Sequence, residues 1–262
     1  MRPLPLPLLL LALTAAPAVA QDRPFCADRP GLGTPACTLS PGVVQVETGL
    51  ADGTRDASDG VETFVVQIAD TLVRVGVTDR LEAQVAFTPF GTVRTEFGPF
   101  AERRSSVGDL RVFVRRNLLS PDGSGTSLAI MPGVTLPTGG DAIGQGTTSL
   151  SLLVPFGTPL PGGFSFGATP EVDAAADSDG SGRHLAFGSV VGVSHGVGSV
   201  GVTAELSVFR DDDPLGRTTQ SLAALSAAWQ PANNWQLDLG SAFGLNRDTA
   251  DSRVYFGVVR RF

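Results

Sequence analysis

The stretch Leu81-Glu82-Ala83-Gln84-Val85-Ala86-Phe87-Thr88 decides the fold. Successive side chains of an extended chain point to opposite sides, so Leu81, Ala83, Val85 and Phe87 share one face and Glu82, Gln84, Ala86 and Thr88 the other. The same period of two recurs along the chain. Leu128, Ile130, Pro132, Val134 and Leu136 alternate with Ser127, Ala129, Met131, Gly133 and Thr135. Phe164, Phe166 and Ala168 alternate with Ser165, Gly167 and Thr169, and Trp235, Leu237 and Leu239 with Gln236, Asp238 and Gly240. Counting such segments predicts twelve strands, over 42–52, 61–78, 81–92, 107–119, 126–136, 147–158, 164–176, 184–195, 199–210, 217–229, 235–246 and 252–262. In the second, Phe64, Val66 and Ile68 are even-numbered whereas Val73, Val75 and Val77 are odd, which predicts a bulge near Ala69 to Leu72.

Composition says where such strands could live. Of 262 residues only 17% are charged, 42% are hydrophobic and 32 are Gly, which excludes a disordered chain. All basic residues are Arg, and 26 acids against 19 bases give a net charge of −7, the wrong sign for a nucleic-acid partner. No stretch after the leader has 18 uninterrupted apolar residues, so a spanning helix is not expected. The second face of each strand carries Gly, Ser, Thr and Ala with few charges. Such a face suits a confined lumen better than the charged, Lys-protected surface of a soluble sandwich. The fold class predicted is all-β: an up-and-down antiparallel transmembrane barrel of about 12 strands over 42–262, its apolar face toward lipid.

Residues 1–20 read as a cleaved secretory signal peptide: Arg2, the apolar run Leu8 to Leu13, then Ala18-Val19-Ala20. The run is well short of the roughly 20 residues that span a bilayer as a helix. Residues 21–41 form a Pro/Gly-rich segment, either periplasmic or plugging the lumen. Cys26 and Cys37 within it are expected to form a disulfide, since an exported chain meets an oxidising compartment and no His lies near enough in sequence to complete a metal site.

The connections test the topology. With both termini in the periplasm, those facing outward would be 52–60, 93–106, 137–146, 177–183, 211–216 and 247–251, and together they hold 13 of the 26 acids. The inward set holds only Asp79 and Asp122. Phe262, Val258, Phe256 and Val254 share one face of the last strand and resemble the terminal signal read by barrel-assembly machinery. Arg260 departs from that pattern, where an apolar residue is usual.

Further stretches carry a family resemblance. Asp28-Arg29-Pro30-Gly31-Leu32-Gly33-Thr34-Pro35-Ala36-Cys37-Thr38-Leu39 is followed by Gly42-Val43-Val44-Gln45-Val46-Glu47, then Leu72 to Glu82, Gly108-Asp109-Leu110 and Leu136-Pro137-Thr138-Gly139. In order and spacing they resemble a transporter-like outer-membrane family associated with the meta-cleavage pathway of phenol degradation. The resemblance implies an outer-membrane barrel and passage of small, hydrophobic or aromatic compounds.

Function follows from what faces the lumen. Glu47, Arg74, Glu82, Asp109, Arg111, Arg115, Glu171, Asp173, Glu205, Asp238 and Arg253 are the charged candidates. Two roles stay open for them: ion pairs that satisfy one another across the wall, or a selectivity ladder for a permeating solute. The expected function is a narrow outer-membrane pore or transporter without cofactor, metal or catalytic residues. Its partners would be outer-membrane lipid and lipopolysaccharide, the assembly machinery and a small-molecule solute, with no nucleic acid. One alternative is an outer-membrane lipid hydrolase, although Ser194 and His195, as strand neighbours, point apart and cannot form a dyad. The other is a surface module whose Asp211-Asp212-Asp213 bridges divalent cations.

Overall fold

The computed structural model describes residues 23–262, so the leader predicted over 1–20 lies outside the described residues. The chain runs through β1 (Val44–Ser58), β2 (Val61–Thr78), β3 (Leu81–Phe87), β4 (Phe90–Phe97), β5 (Phe100–Ser106), β6 (Leu110–Leu119) and β7 (Ser127–Leu136). It continues through β8 (Ser149–Leu153), β9 (Phe156–Pro159), β10 (Phe164–Ala176), β11 (Arg183–Val197), β12 (Val200–Asp211), β13 (Thr218–Ala232), β14 (Trp235–Gly244) and β15 (Ser252–Arg261). Every pairing is antiparallel, and β1 bonds both β2 and β15, so the sheet closes. No described helix is long and apolar enough to cross a membrane.

The fifteen strands make a closed barrel of twelve staves, because three staves are broken in two. β3 and β4 lie end to end along β2, against Thr71–Thr78 and Val61–Ile68 respectively. β5 and β6 follow each other along β4 and β3. β8 and β9 share the place between β7 and β10. The stretch 93–106, expected as a connection, is therefore a hairpin that continues the wall beside the far ends of β1 and β2, with its turn at Gly98 and Pro99. β1 likewise runs on to Ser58, which takes Asp52 out of the loop set and into the wall.

The phase change in the second strand falls at Ala69, whose φ is +58°, and is matched in β1 by a register shift against β15 between Gly49 and Ala51. Below the shift Gln45 and Glu47 face in; above it Asp52 does. A positive φ turns the pleat by one residue, so Leu72 and Arg74 face inward on the same strand whose upper half points Phe64, Val66 and Ile68 outward.

The barrel is inside out relative to a soluble protein. Arg74, Arg115, Gln45, Gln84, Glu47 and Glu82 are its largest fully buried side chains. Val75, Val85, Val114, Ile130, Leu152, Val172, Val191, Leu206, Leu225, Leu239 and Phe256 stand exposed around the outside. A continuous outer belt of this chemistry is stable against lipid and not against water.

The C-terminal Phe262, the first described residue Arg23 and the short turns at 79–80, 198–199 and 233–234 lie at one end, called here the near end. On the lipid face of that end Arg260 lies 4.6 Å over the Trp235 ring and 5.4 Å from that of Phe262. This stacking accounts for a basic residue in the apolar row of Val254, Phe256, Val258 and Phe262, since its stem packs on rings while its charge reaches the rim.

Candidate functional site

Residues 23–43 do not hang from the barrel; they lie inside it. Cys26 and Cys37 are joined by a disulfide, as expected, and the loop they close is held from several staves at once. The Glu47 carboxylate accepts the backbone N–H groups of Asp28 and Arg29, at 3.0 and 2.9 Å. Arg74 donates to the Cys26 carbonyl at 2.8 Å, to Asp28 and Glu47 at 2.9 Å each, and to Glu82 at 2.7 Å. Arg115 donates to Asp28 at 2.7 Å and to the Cys37 carbonyl at 3.0 Å. Glu82 also accepts the N–H of Leu39, and Asn117 donates to the Ala36 carbonyl. Arg74, Arg115 and Glu82 are each 0% exposed, so pairing is what makes their burial tolerable.

On the opposite wall the segment is held mainly through its backbone. Glu205 accepts the N–H groups of Leu32 and Gly33 at 2.8 and 2.9 Å, and Thr169 exchanges two hydrogen bonds with Thr34. Arg29 reaches Asp238 at 2.8 Å, its guanidinium crossing over Gly257. A Cβ built on Gly257 would stand 2.4 Å from Arg29 Nε, and one on Gly76 would stand 2.1 Å from the Ser40 carbonyl. Wall glycines at these two points let the segment seat against bare backbone.

The eleven charged candidates thus divide. Glu47, Arg74, Glu82, Arg115, Glu205 and Asp238 converge on the inserted segment. Asp109 sits elsewhere: its two oxygens accept the N–H groups of Gly139 and Gln145, folding the 137–148 connection back onto the β5–β6 junction. Arg253 pairs with Asp52 at 3.0 Å, and Arg111 with Asp70 at 2.7 Å. Among the described residues Glu171 and Asp173 have no cationic partner in an ion pair. The residues of the first three resembling motifs meet here, Asp28 and Arg29 from the first, Glu47 from the second and Arg74 and Glu82 from the third, whereas Asp109 and Gly139 from the last two meet each other at the β5–β6 junction.

Two spaces remain. One, of 350 Å³, lies between residues 27–37 and the near half of β7 and β9 to β12, where Gly157, Gly167 and Gly192 are paired side by side across three strands. The other, of 270 Å³, lies on the far side of Asp28 to Thr34, lined by Leu72, Gln84, Phe113, Met131, Leu153 and Glu171 among others. The apolar members of this lining escaped the charged-residue count. Their signal was present, since Leu72 shares parity with Arg74, and Phe113 with Arg111 and Arg115.

The two histidines serve the rims. His195 faces outward, its ring 4.4 Å from that of Phe164 and its Nδ1 3.2 Å from the Gly163 carbonyl, whereas Ser194 lines the inner cavity. His184 Nδ1 lies 2.9 Å from Asp177 and Nε2 2.6 Å from Asp211. Asp213 accepts the N–H groups of Ser178 and Leu215, and Asp212 is near Arg210 and Arg217. The Asp211 to Asp213 run is thus engaged in joining two far-end loops.

Residues 27–262 match the model of a family described as the putative MetA-pathway of phenol degradation. The chain belongs to that family. A search of the curated proteins finds no match. Among solved structures, an outer membrane channel from Pseudomonas putida F1 superposes with a TM-score of 0.69 at 16% identity, covering 89% of this chain and 99% of that one. The translocator domain of the autotransporter NalP from Neisseria meningitidis gives 0.58 at 15% identity, with 85% and 89% covered. The β domain of the Bordetella autotransporter BrkA gives 0.57 at 11% identity, with 85% and 100% covered. At these identities the family member shares a barrel fold with all three.

Proposed function

We propose that the protein is a narrow outer-membrane pore for small compounds, hydrophobic or aromatic ones among them, and not an enzyme. In this reading the leader over 1–20 is cleaved after export, the near end faces the periplasm, and Phe262 with the outward residues before it guides assembly. Residues 23–43 act as a plug that narrows the lumen without filling it. The observation that carries the reading is the 350 Å³ space beside that segment, whose wall includes Gly157, Gly167 and Gly192 side by side. The charged candidates around Arg74 serve to seat the plug, and those left on the far side, Arg111, Glu171 and Asp173, meet the passing solute. Membership of a family described by phenol degradation, and the fold shared with a protein named as a channel, agree with a small-molecule cargo.

A liposome-swelling assay with solutes graded in size and polarity tests the reading. Swelling is expected for the smallest solutes, and planar-bilayer conductance is expected to rise when residues 21–41 are removed. Absence of conductance from both proteins would overturn it. Esterase or phospholipase turnover by purified protein, lost in His195→Ala, would restore the enzymatic alternative.

A further inference from the structure

Arg116 stands on the lipid side of the wall. Its neighbours in β6, Arg115 and Asn117, are buried in the lumen, so alternation turns Arg116 outward with Val114 and Leu118, which are 41% and 47% exposed. Across the two seams it is paired with Leu81 of β3 and Ile130 of β7, which sets a cation in an apolar field. Among the described residues, Arg116 and Arg247 are the arginines whose side chains make no hydrogen bond, ion pair or ring contact. Arg247 lies in the far-end connection 245–251, where water can solvate it; Arg116 is part of a strand.

The register fixes the height of Arg116. Leu81 opens β3 directly after the turn 79–80, so the residue paired with it lies close to the near rim. Arg80, from that turn, spans the same seam: its carbonyl accepts the N–H of Asn117 at 2.8 Å, and its Nη1 donates to the Leu118 carbonyl at 3.0 Å. That bond leaves most of the guanidinium donors of Arg80 free. Positions 116 and 118 are about 7 Å apart along a strand, so an anion of phosphate size between them is within reach of both side chains. No acid of this rim competes for them. Asp79 is paired with Arg23 at 3.2 Å, and Asp122 accepts from Ser124 in a loop that folds in over the lumen, where the Thr38 N–H donates to the Pro121 carbonyl. Arg260, on the lipid face of the same end, differs in that the rings of Trp235 and Phe262 already engage it.

We propose that the near-end seam between β3 and β6 is a binding site for an anionic glycerophospholipid, with its phosphodiester held between Arg116 and Arg80 and its acyl chains running toward the midplane over Val114 and Val85. Guanidinium groups suit the task, because they bind phosphate oxygens in a bidentate fork. A lipid of net negative charge is preferred to a zwitterionic one, since ethanolamine would bring its ammonium to a seam that holds two cations and no free carboxylate. The choice of a glycerophospholipid rests on the orientation proposed above, with the near end toward the periplasm. The pairing of the two arginines does not.

Native mass spectrometry of the purified protein in neutral detergent, titrated with phosphatidylglycerol and phosphatidylethanolamine of matched chains, tests the site. Phosphatidylglycerol is expected to bind about fivefold more tightly or better, the effect of a basic residue at an anionic lipid surface. Arg116→Leu places an apolar residue where lipid is the neighbour and disturbs no contact, so the barrel should fold as before and the two lipids should bind within about twofold of each other. Arg247→Leu should keep the full preference. Equal binding of the two lipids to the native protein would overturn the proposal, as would a preference that survives the Arg80→Leu, Arg116→Leu double variant. Tighter binding of diphosphoryl lipid A through the same two arginines would overturn it as well, by assigning the seam to the opposite leaflet. Liposome swelling with Arg116→Leu, expected to match the native protein, separates this site from the pore. Swelling without lipid preference sinks the site alone, and lipid preference without swelling sinks the pore alone.

Discussion

One half of the inner wall, formed by β1, β2, β3, β6, β14 and β15, carries Gln45, Glu47, Arg74, Glu82, Arg115, Asp238 and Arg253. The other half, from β7 to β13, presents mainly Gly, Ser, Thr and Ala, with Glu205 as its buried carboxylate. The first half grips the inserted segment through charged side chains; the second offers space beside it. Closing a barrel does not require such a division. A lumen that held a plug symmetrically would have no room left, and one lined only by small residues would have nothing to hold it. The two halves therefore have separable failures: damage to the charged half should release the segment, and damage to the bare half should block the route.

The largest effect is expected from Arg74→Ala. It leaves Glu47 and Glu82 buried without their shared cation, and removing one partner of a buried pair costs about 3–5 kcal/mol. Chemical unfolding in detergent should show a loss of that order, with residues 23–43 becoming accessible to protease in the folded barrel. A stability change of less than about 1 kcal/mol would mean that water in the lumen already supports these charges, and that the charged half does not grip.

Next comes the Cys26→Ser, Cys37→Ser pair. The bridge closes a loop of separation 11 and presents the Cys26 and Cys37 carbonyls to Arg74 and Arg115. By loop-closure entropy its removal costs about 2–3 kcal/mol. Because the barrel strands do not depend on it, the loss should appear as noisier and larger conductance while the barrel's own unfolding transition stays in place. A shift of that transition with unchanged conductance would show that the bridge supports the wall instead.

Gly167→Leu addresses the bare half. A Cβ at Gly167 finds only the Phe156 carbonyl, at 3.8 Å, so the wall should accept the larger residue at a cost of about 1 kcal/mol or less. Its side chain would stand in the 350 Å³ space, and swelling rates should fall several-fold. Unchanged rates would place the route elsewhere, and the contrast between the halves would lose its functional meaning.

The wall's architecture was readable from alternation because lipid on one side and a packed lumen on the other impose a strict period of two. The same reasoning failed at 93–106. Beyond the bilayer no lipid face selects apolar residues, and Arg94, Glu96, Glu102, Arg103 and Arg104 form a strand pair without an alternating pattern. Asp52 was misplaced for a related reason: the shift at Leu50 reverses parity, and only its counterpart at Ala69 had left a mark in the sequence. Alternation groups the eleven charged positions on the face away from lipid, but it does not divide them into anchors and free groups. That depends on backbone N–H groups of Asp28, Arg29, Leu32 and Gly33, and backbone atoms leave no signature in residue type. Phe113 and Leu153 were missed because an apolar residue on the lumen face contradicts the simplest version of the pattern, and here it marks the space beyond the plug.

The smallest effect concerns how the bare half is tied at its far rim, where it lacks the fastening that the plug gives the other half. Asp213 accepts N–H groups from Leu215 and Ser178, and those bonds hold its carboxyl below the usual carboxylate range; Asp179 is lowered likewise by Ser181. A carboxylate whose folded value is depressed contributes stability above its unfolded value, near pH 4, and loses it as the pH falls through the lower folded value. The loops at 177–182 and 212–217 should therefore open below about pH 4, seen as lower amide protection factors at Ser178 and Leu215. Asp213→Asn should reproduce the loosened loops at neutral pH without changing conductance. Protection factors at Ser178 and Leu215 that stay constant from pH 7 to 3 would mean that these loops are held by packing alone, leaving Glu205 as the charged fastening of the bare half.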